Sequence, residues 1–170
     1  MPLQKSKPIS TIEIEVAVAK LFGIRTHIIV PNLSYGFDKM HEMDLAIITN
    51  AGLLTEVEIK RSKSDLLADF KKIHHHKDTK NRICRLYYAF PIILYEKCVD
   101  LIPINAGIIV CNRYIDYYGH EVVGAYIKRE AIKIKNSRKL TIEEQLKIAR
   151  LGTLRIWKFK EKAIGLKKLK

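Results

Sequence analysis

The sequence predicts an α/β (α+β) fold, a mixed central sheet flanked by helices, and three observations carry that prediction. Its patterns run helix, three strands, helix, strand, helix, strand, then a basic extension. Hydrophobic residues make up 48% of 170, enough for one buried core and too many for a disordered chain. Residues 42–60 alternate apolar and charged residues around a turn, the pattern of an antiparallel hairpin.

The elements follow in order. Residues 1–10, with Pro2 and Pro8, read as a flexible leader. Residues 11–22 read as a helix ended by Gly23, and His27 to Val30 as a strand stopped by Pro31. After the hairpin, Ser62 or Ser64 caps a helix predicted to reach about His76, with Leu66, Leu67, Phe70 and Ile73 inward. Residues 83–90 suit a strand, 92–101 a helix, and Ala106 to Cys111 another strand. One or two strands are expected between Glu121 and Ile134. Thr141 and Glu144 form a capping box for a helix ending at Gly152, followed by a strand at Leu154, Ile156 and Trp157. The expected organisation is a core over 11–111 and a basic C-terminal extension over 112–170, packed on or next to it.

Charge and cysteines narrow the function. The net charge of +13 is uneven: residues 128–170 hold 15 Lys and Arg against 4 Asp and Glu, and residues 1–127 hold 16 against 14. Such a localised surplus suits a polyanion, most simply nucleic acid, or else a lysine-rich solvated surface. No apolar run nears the roughly 20 residues that span a bilayer, and the N-terminus lacks a signal-peptide core. Cys84, Cys98 and Cys111 are too sparse for a disulfide framework and fit a cytoplasmic protein. No Walker loop, Rossmann glycine run or nucleophile elbow occurs, so ATP-driven chemistry and serine hydrolysis lack support.

The hairpin carries the chemistry. Asn50, Ala51 and Gly52 form its loop, and pairing Thr49 with Leu53 makes partner numbers sum to 102. Asp44 then faces Glu58, and Glu42 faces Lys60. Met43, Leu45, Ile47, Leu53, Val57 and Ile59 share an apolar face, while Glu42, Asp44, Glu56, Glu58 and Lys60 share the other. Opposed carboxylates repel unless a proton or cation lies between them. Oxygen ligands suit a hard divalent ion such as Mg²⁺, with Lys60 in reach of water or phosphate. The competing reading is an edge hairpin whose polar face is simply solvated.

Two further groups bear on the site. Glu15 falls among Val18, Ala19 and Phe22 on the inward side of the first helix, so it needs a partner or sits at the rim. Residues 60–85 hold 9 Lys and Arg against 3 Asp, and Arg61, Lys63, Lys71, Lys72 and His74 are candidates for a DNA path. The three consecutive histidines 74–76 lack the spacing of a zinc site. Tyr87, Tyr88, Tyr114, Tyr117 and Tyr118 are either stacking platforms or half-buried packing.

Asp44 followed by Glu58-Ile59-Lys60 and a helix resembles the PD-(D/E)XK nuclease superfamily, whose core runs helix, three strands, helix, strand. The segment EIKRSKSDLLADFKK is most similar to the MmcB-like DNA-repair nucleases, with Ser62, Asp65, Asp69 and Lys71 on that group's pattern. Met43 stands where the superfamily often has proline, and the likeness covers roughly residues 11–111. The resemblance implies a restriction-endonuclease-like core and Mg²⁺ or Mn²⁺ held by Asp44, Glu58 and the Ile59 carbonyl. It further implies Lys60 orienting or activating water, and Glu15 as the first-helix acid. The implied activity is metal-dependent hydrolysis of DNA phosphodiester bonds by an endonuclease or repair nuclease, with DNA as partner and a homodimer allowed. Two other classes stay open: a non-catalytic DNA-binding module of the same fold, and a basic interaction protein that docks an acidic partner.

Overall fold

The turn at residues 49–53 forms as its chemistry requires. Gly52 takes φ +78°, and its N–H donates to the Thr49 carbonyl at 2.8 Å. That left-handed conformation favours glycine because no Cβ crowds the backbone. The turn joins β2 (Met43–Ile48) and β3 (Leu54–Ile59) in the expected register, with Leu45 opposite Val57 and Ile48 opposite Leu54. The computed structural model describes residues 7–33, 42–70 and 80–165.

Around this hairpin the chain builds one mixed six-stranded sheet, ordered β1 (Ile28–Leu33), β2, β3, β4 (Ile83–Pro91), β5 (Gly107–Ile115) and β6 (Glu121–Arg129). β3, β4 and β5 are parallel, and the other neighbours are antiparallel. Helix α1 (Thr11–Leu21) covers one face, where Ile14 and Val18 pack with Leu45, Ile47, Val57 and Ile59. On the other face α4 (Ile142–Ala163) packs over β1 and β2, and α2 (Lys63–Phe70) and α3 (Tyr95–Cys98) pack over β4 and β5. Short 3-10 turns flank α3 and complete the helical run expected at 92–101. Residues 112–115 continue β5 and β6 extends the same sheet, so the position between 111 and 112 falls inside a strand. Ile9 is buried and Ser10 caps α1.

Several sequence expectations are corrected. β1 runs through Pro31 to Leu33 instead of stopping at Val30. It is an edge strand, where a missing N–H costs no inner ladder bond. Met43 packs with Val30, Leu33, Ala46, Ile48 and Leu54 on the α4 side, not with Leu45 and Ile47. The alternation breaks there beside Asn32, whose φ is +50°. In α2, Leu66 and Asp69 are buried, whereas Leu67 and Phe70 are each 39% exposed. Ile73 lies outside the described residues. The expected stop at Gly152 and the strand after it are both absent: α4 continues to Ala163. A Cβ on Gly152 would lie 2.9 Å from Val30 Cγ2, so this glycine permits close helix–sheet approach and ends nothing.

Candidate functional site

β3 is buried on both faces, which overturns the solvated-hairpin reading. Its acids Glu56 and Glu58, and Lys60 directly after it, are 0%, 4% and 5% exposed. They lie between the apolar cluster under α4 and the one under α2 and α3. Charges so buried need partners. Lys60 Nζ bonds Glu58 Oε2 at 2.7 Å and Asp69 Oδ1 at 2.9 Å. α2 is held in place for this by Ser62, whose Oγ accepts the Asp65 N–H at 3.0 Å. Glu58 Oε1 is buried with no hydrogen-bond partner among the described residues.

Asp44 reaches the same group from β2. Its Oδ2 accepts the Ile59 N–H at 2.7 Å, which ties the two strands together at the ExK segment. Beyond it, Asn32 of β1 donates to Glu15 Oε1 at 3.4 Å, so the partner sought for Glu15 is an asparagine. Glu15 is half-buried and lies close enough to Asp44 for that carboxylate to raise its cost of ionising. The structure thus brings Asp44, Glu58, Ile59, Lys60 and Glu15 into one neighbourhood, with Asn32 and Asp69 added.

Electrostatics follow from burial and crowding. Burial first, then the Glu56 and Asp44 carboxylates, push Glu58 up to about 7 against the pull of Lys60. Burial also raises Asp44, opposed by the Ile59 amide and Lys60. Glu15 rises for the same reason, with Asn32 opposing and Asp44 adding to it. For Lys60 burial acts downward, but Glu58 and Asp69 outweigh it and hold the ammonium above its usual range. Tyr88, opposite Glu58 on β4, is raised by burial and by Asp69, Glu58 and Glu56.

The remaining candidates separate. Arg61 and Lys63 are described, and Lys63 is exposed at the start of α2. Arg61 follows Lys60 and lines a cavity of about 190 Å³ with Lys7 and Arg113. Lys71, Lys72 and His74 lie outside the described residues. Tyr87 and Tyr88 are buried and cannot stack on a base, whereas Tyr117 and Tyr118 are exposed on the turn between β5 and β6. Cys84, Cys98 and Cys111 are buried free thiols. Asp69 and Asn32 were missed as site residues. Asp69 had a signal, its i, i+3 spacing from Leu66 on the inward stripe. Asn32 had none beyond its place after Pro31.

No protein-family model matches the chain, and no curated protein matches it. Among solved structures it is similar to the SPO1766 protein of unknown function from Silicibacter pomeroyi. The identity is 16% and the TM-score 0.61, over 97% of this chain and 94% of that one. At that identity the likeness shows the fold alone. No helix among the described residues is long and apolar enough to cross a membrane.

Proposed function

We propose that this chain is a divalent-metal-dependent DNA endonuclease or repair nuclease that hydrolyses phosphodiester bonds. The observation that carries the reading is Glu58, buried beside Asp44, with one oxygen held by Lys60 and the other without a hydrogen-bond partner among the described residues. An orphaned buried carboxylate oxygen costs free energy that a cation would recover.

The donor chemistry fits Mg²⁺ or Mn²⁺. Asp44 gives one oxygen to the Ile59 amide and keeps the other, and Glu58 keeps Oε1. Those two oxygens and the Ile59 carbonyl would hold the ion. Among the described residues no group of three or more His, Cys, Asp and Glu is arranged for a metal. A two-carboxylate set suits an ion that keeps several of its waters. When bound, the ion supplies Lewis acidity toward a phosphodiester and toward water.

The chain's own residues do the rest. Lys60 stays an ammonium at neutral pH, so it orients water or phosphate as a fixed cation and does not take a proton. Glu58 and Asp69 grip it from two sides and restrict where that charge points. The Ile59 N–H fixes the Asp44 carboxylate, and Glu15, bonded by Asn32, adds a further carboxyl near it. Arg61 and Lys63 offer phosphate contacts next to the site.

Cleavage of duplex, nicked and branched DNA in Mg²⁺ or Mn²⁺ tests the reading. Lys60→Ala and Asp44→Ala are each expected to lower the rate by about 100-fold or more, and Asp44→Ala to abolish Mn²⁺ binding in calorimetry. Cleavage by both variants at the parent rate overturns the assignment. Salt-sensitive DNA binding without Mn²⁺ binding identifies a non-catalytic module instead.

A further inference from the structure

Helix α4 changes character along its length. Its first half packs: Gln145 lies at Gly52, Ile148 is fully buried, and Gly152 meets Val30. Its guanidinium at Arg155 then donates to the Asn32 carbonyl, and Asn32 in turn bonds Glu15 of the candidate site. The helix therefore crosses from the hairpin turn to the site-proximal end of the edge strand. Past Arg155 every residue from Ile156 to Ala163 is exposed, including Trp157 at 57% and Phe159 at 74%. Eight residues of helix, about 12 Å at 1.5 Å each, are thus exposed.

Charge changes with exposure. Residues 142–151 carry Glu143, Glu144, Lys147 and Arg150 and are neutral; residues 152–163 carry Arg155, Lys158, Lys160 and Lys162 against Glu161, a balance of +3. One cation sits among the apolar side chains and three line the flank beside them. Lys160 falls between Ile156 and Ile164 on one i, i+4 row, whereas Arg155, Lys158 and Lys162 fall together on the adjoining arc of the helix. Lys160 Nζ also lies 5.1 Å from the centre of the Trp157 ring. Ammonium groups beside exposed aromatic rings match a flexible polyanion that offers both phosphates and unpaired bases. Ile156 and Phe159 also form one wall of a groove of about 550 Å³ whose other wall is β1, with Ile28 and Pro31.

We propose that the exposed half of α4, centred on Trp157, Lys158, Phe159 and Lys160, binds a single-stranded DNA segment and leads it toward the Asp44–Glu58 site. The ring faces take bases, the lysines take phosphates, and the groove against β1 accepts a base or sugar. The link to cleavage rests on the nuclease reading; the binding itself does not.

Trp157 is the single tryptophan of the chain, so tryptophan emission excited beyond the tyrosine band reports on this helix alone. The full-length protein is titrated with a thymidine oligonucleotide in EDTA, where cleavage cannot contribute. Saturable, salt-sensitive quenching is expected, stronger for the single strand than for a blunt duplex. Lys158→Glu with Lys160→Glu should reduce the slope of log K against log salt by about 0.7 per lysine. Phe159→Ala should weaken binding about tenfold. No quenching, or quenching unchanged in these variants at parental helix content by circular dichroism, overturns the proposal. So does a blue shift with phosphatidylglycerol vesicles but not with the oligonucleotide, which marks a membrane surface. Emission that changes with protein concentration alone marks self-association and overturns it too. Quenching without cleavage in Mg²⁺ supports the helix assignment and overturns the nuclease reading; cleavage without quenching does the reverse.

Discussion

Lys60 is the residue on which the site turns. Its ammonium is 2.7 Å from Glu58 and 2.9 Å from Asp69, and all three side chains are buried. Removing one partner of a buried pair is costly because the remaining charge keeps its desolvation penalty. Asp69→Ala is expected to lower unfolding stability by about 3 kcal/mol, with Asp69→Asn losing less, in urea titrations. A parental midpoint for Asp69→Ala would show that Asp69 holds Lys60 no more firmly than a surface carboxylate. Most of this residue set could be read from the sequence. The hairpin parity put Asp44, Glu58 and Lys60 together, because a one-residue slip would have moved the charged set to the apolar face that α1 covers. What alternation could not reveal was depth. A charged face reads as solvated until the helices on that side of the sheet are placed, and Glu56 and Glu58 are in fact buried.

Two helices show how elements are fixed from outside themselves. Gly152 looks like a terminator in the sequence, and Leu154 and Ile156 alternate like a strand. Both signals were local, whereas the reason for the glycine is Val30, far away in the chain. Gly152→Ala improves helix propensity by about 1 kcal/mol but overpacks the Val30 contact by 1–3 kcal/mol, so a net loss of about 1 kcal/mol is expected. Urea midpoints measure it, and a gain in stability would mean that the helix shifts freely on β1. Helix α1 is fixed by charge. Ser10 and Glu13 cap each other, and Glu13 also meets Arg113 of β5 at 2.8 Å. The Ser10 hydroxyl and amide, then Arg113, lower Glu13 to about 2. A carboxyl depressed on folding contributes stability in full above its ordinary value of about 4.5 and loses it as pH falls toward 2. Glu13→Gln should therefore lose stability at neutral pH and show a shallower decline over that acid window. Parallel pH curves for parent and variant would remove Glu13 from the account. Reading Ser10 as part of the leader hides the cap it forms with Glu13, and the Arg113 contact depends on how β5 lies against α1.

At the scale of the whole molecule, the predicted mixed sheet with flanking helices is the architecture observed, and the mostly antiparallel pairing encloses a parallel centre. The sheet is open, so two of its strands face outward, and β1 is one of them. Such an edge is a template for a further strand from another molecule. Here it is blunted at two successive positions: Pro31 has no N–H to give, and the Asn32 carbonyl already accepts from Arg155. Pro31→Val restores a ladder donor, and Arg155→Ala frees the acceptor. The double variant is expected to form larger species at high concentration in light scattering, while either single variant stays closer to the parent. A monodisperse double variant would locate the protection elsewhere. The same arginine that ties the basic helix to the candidate site thus also guards the protein against assembling strand upon strand, and a change that loosened one role would erode the other.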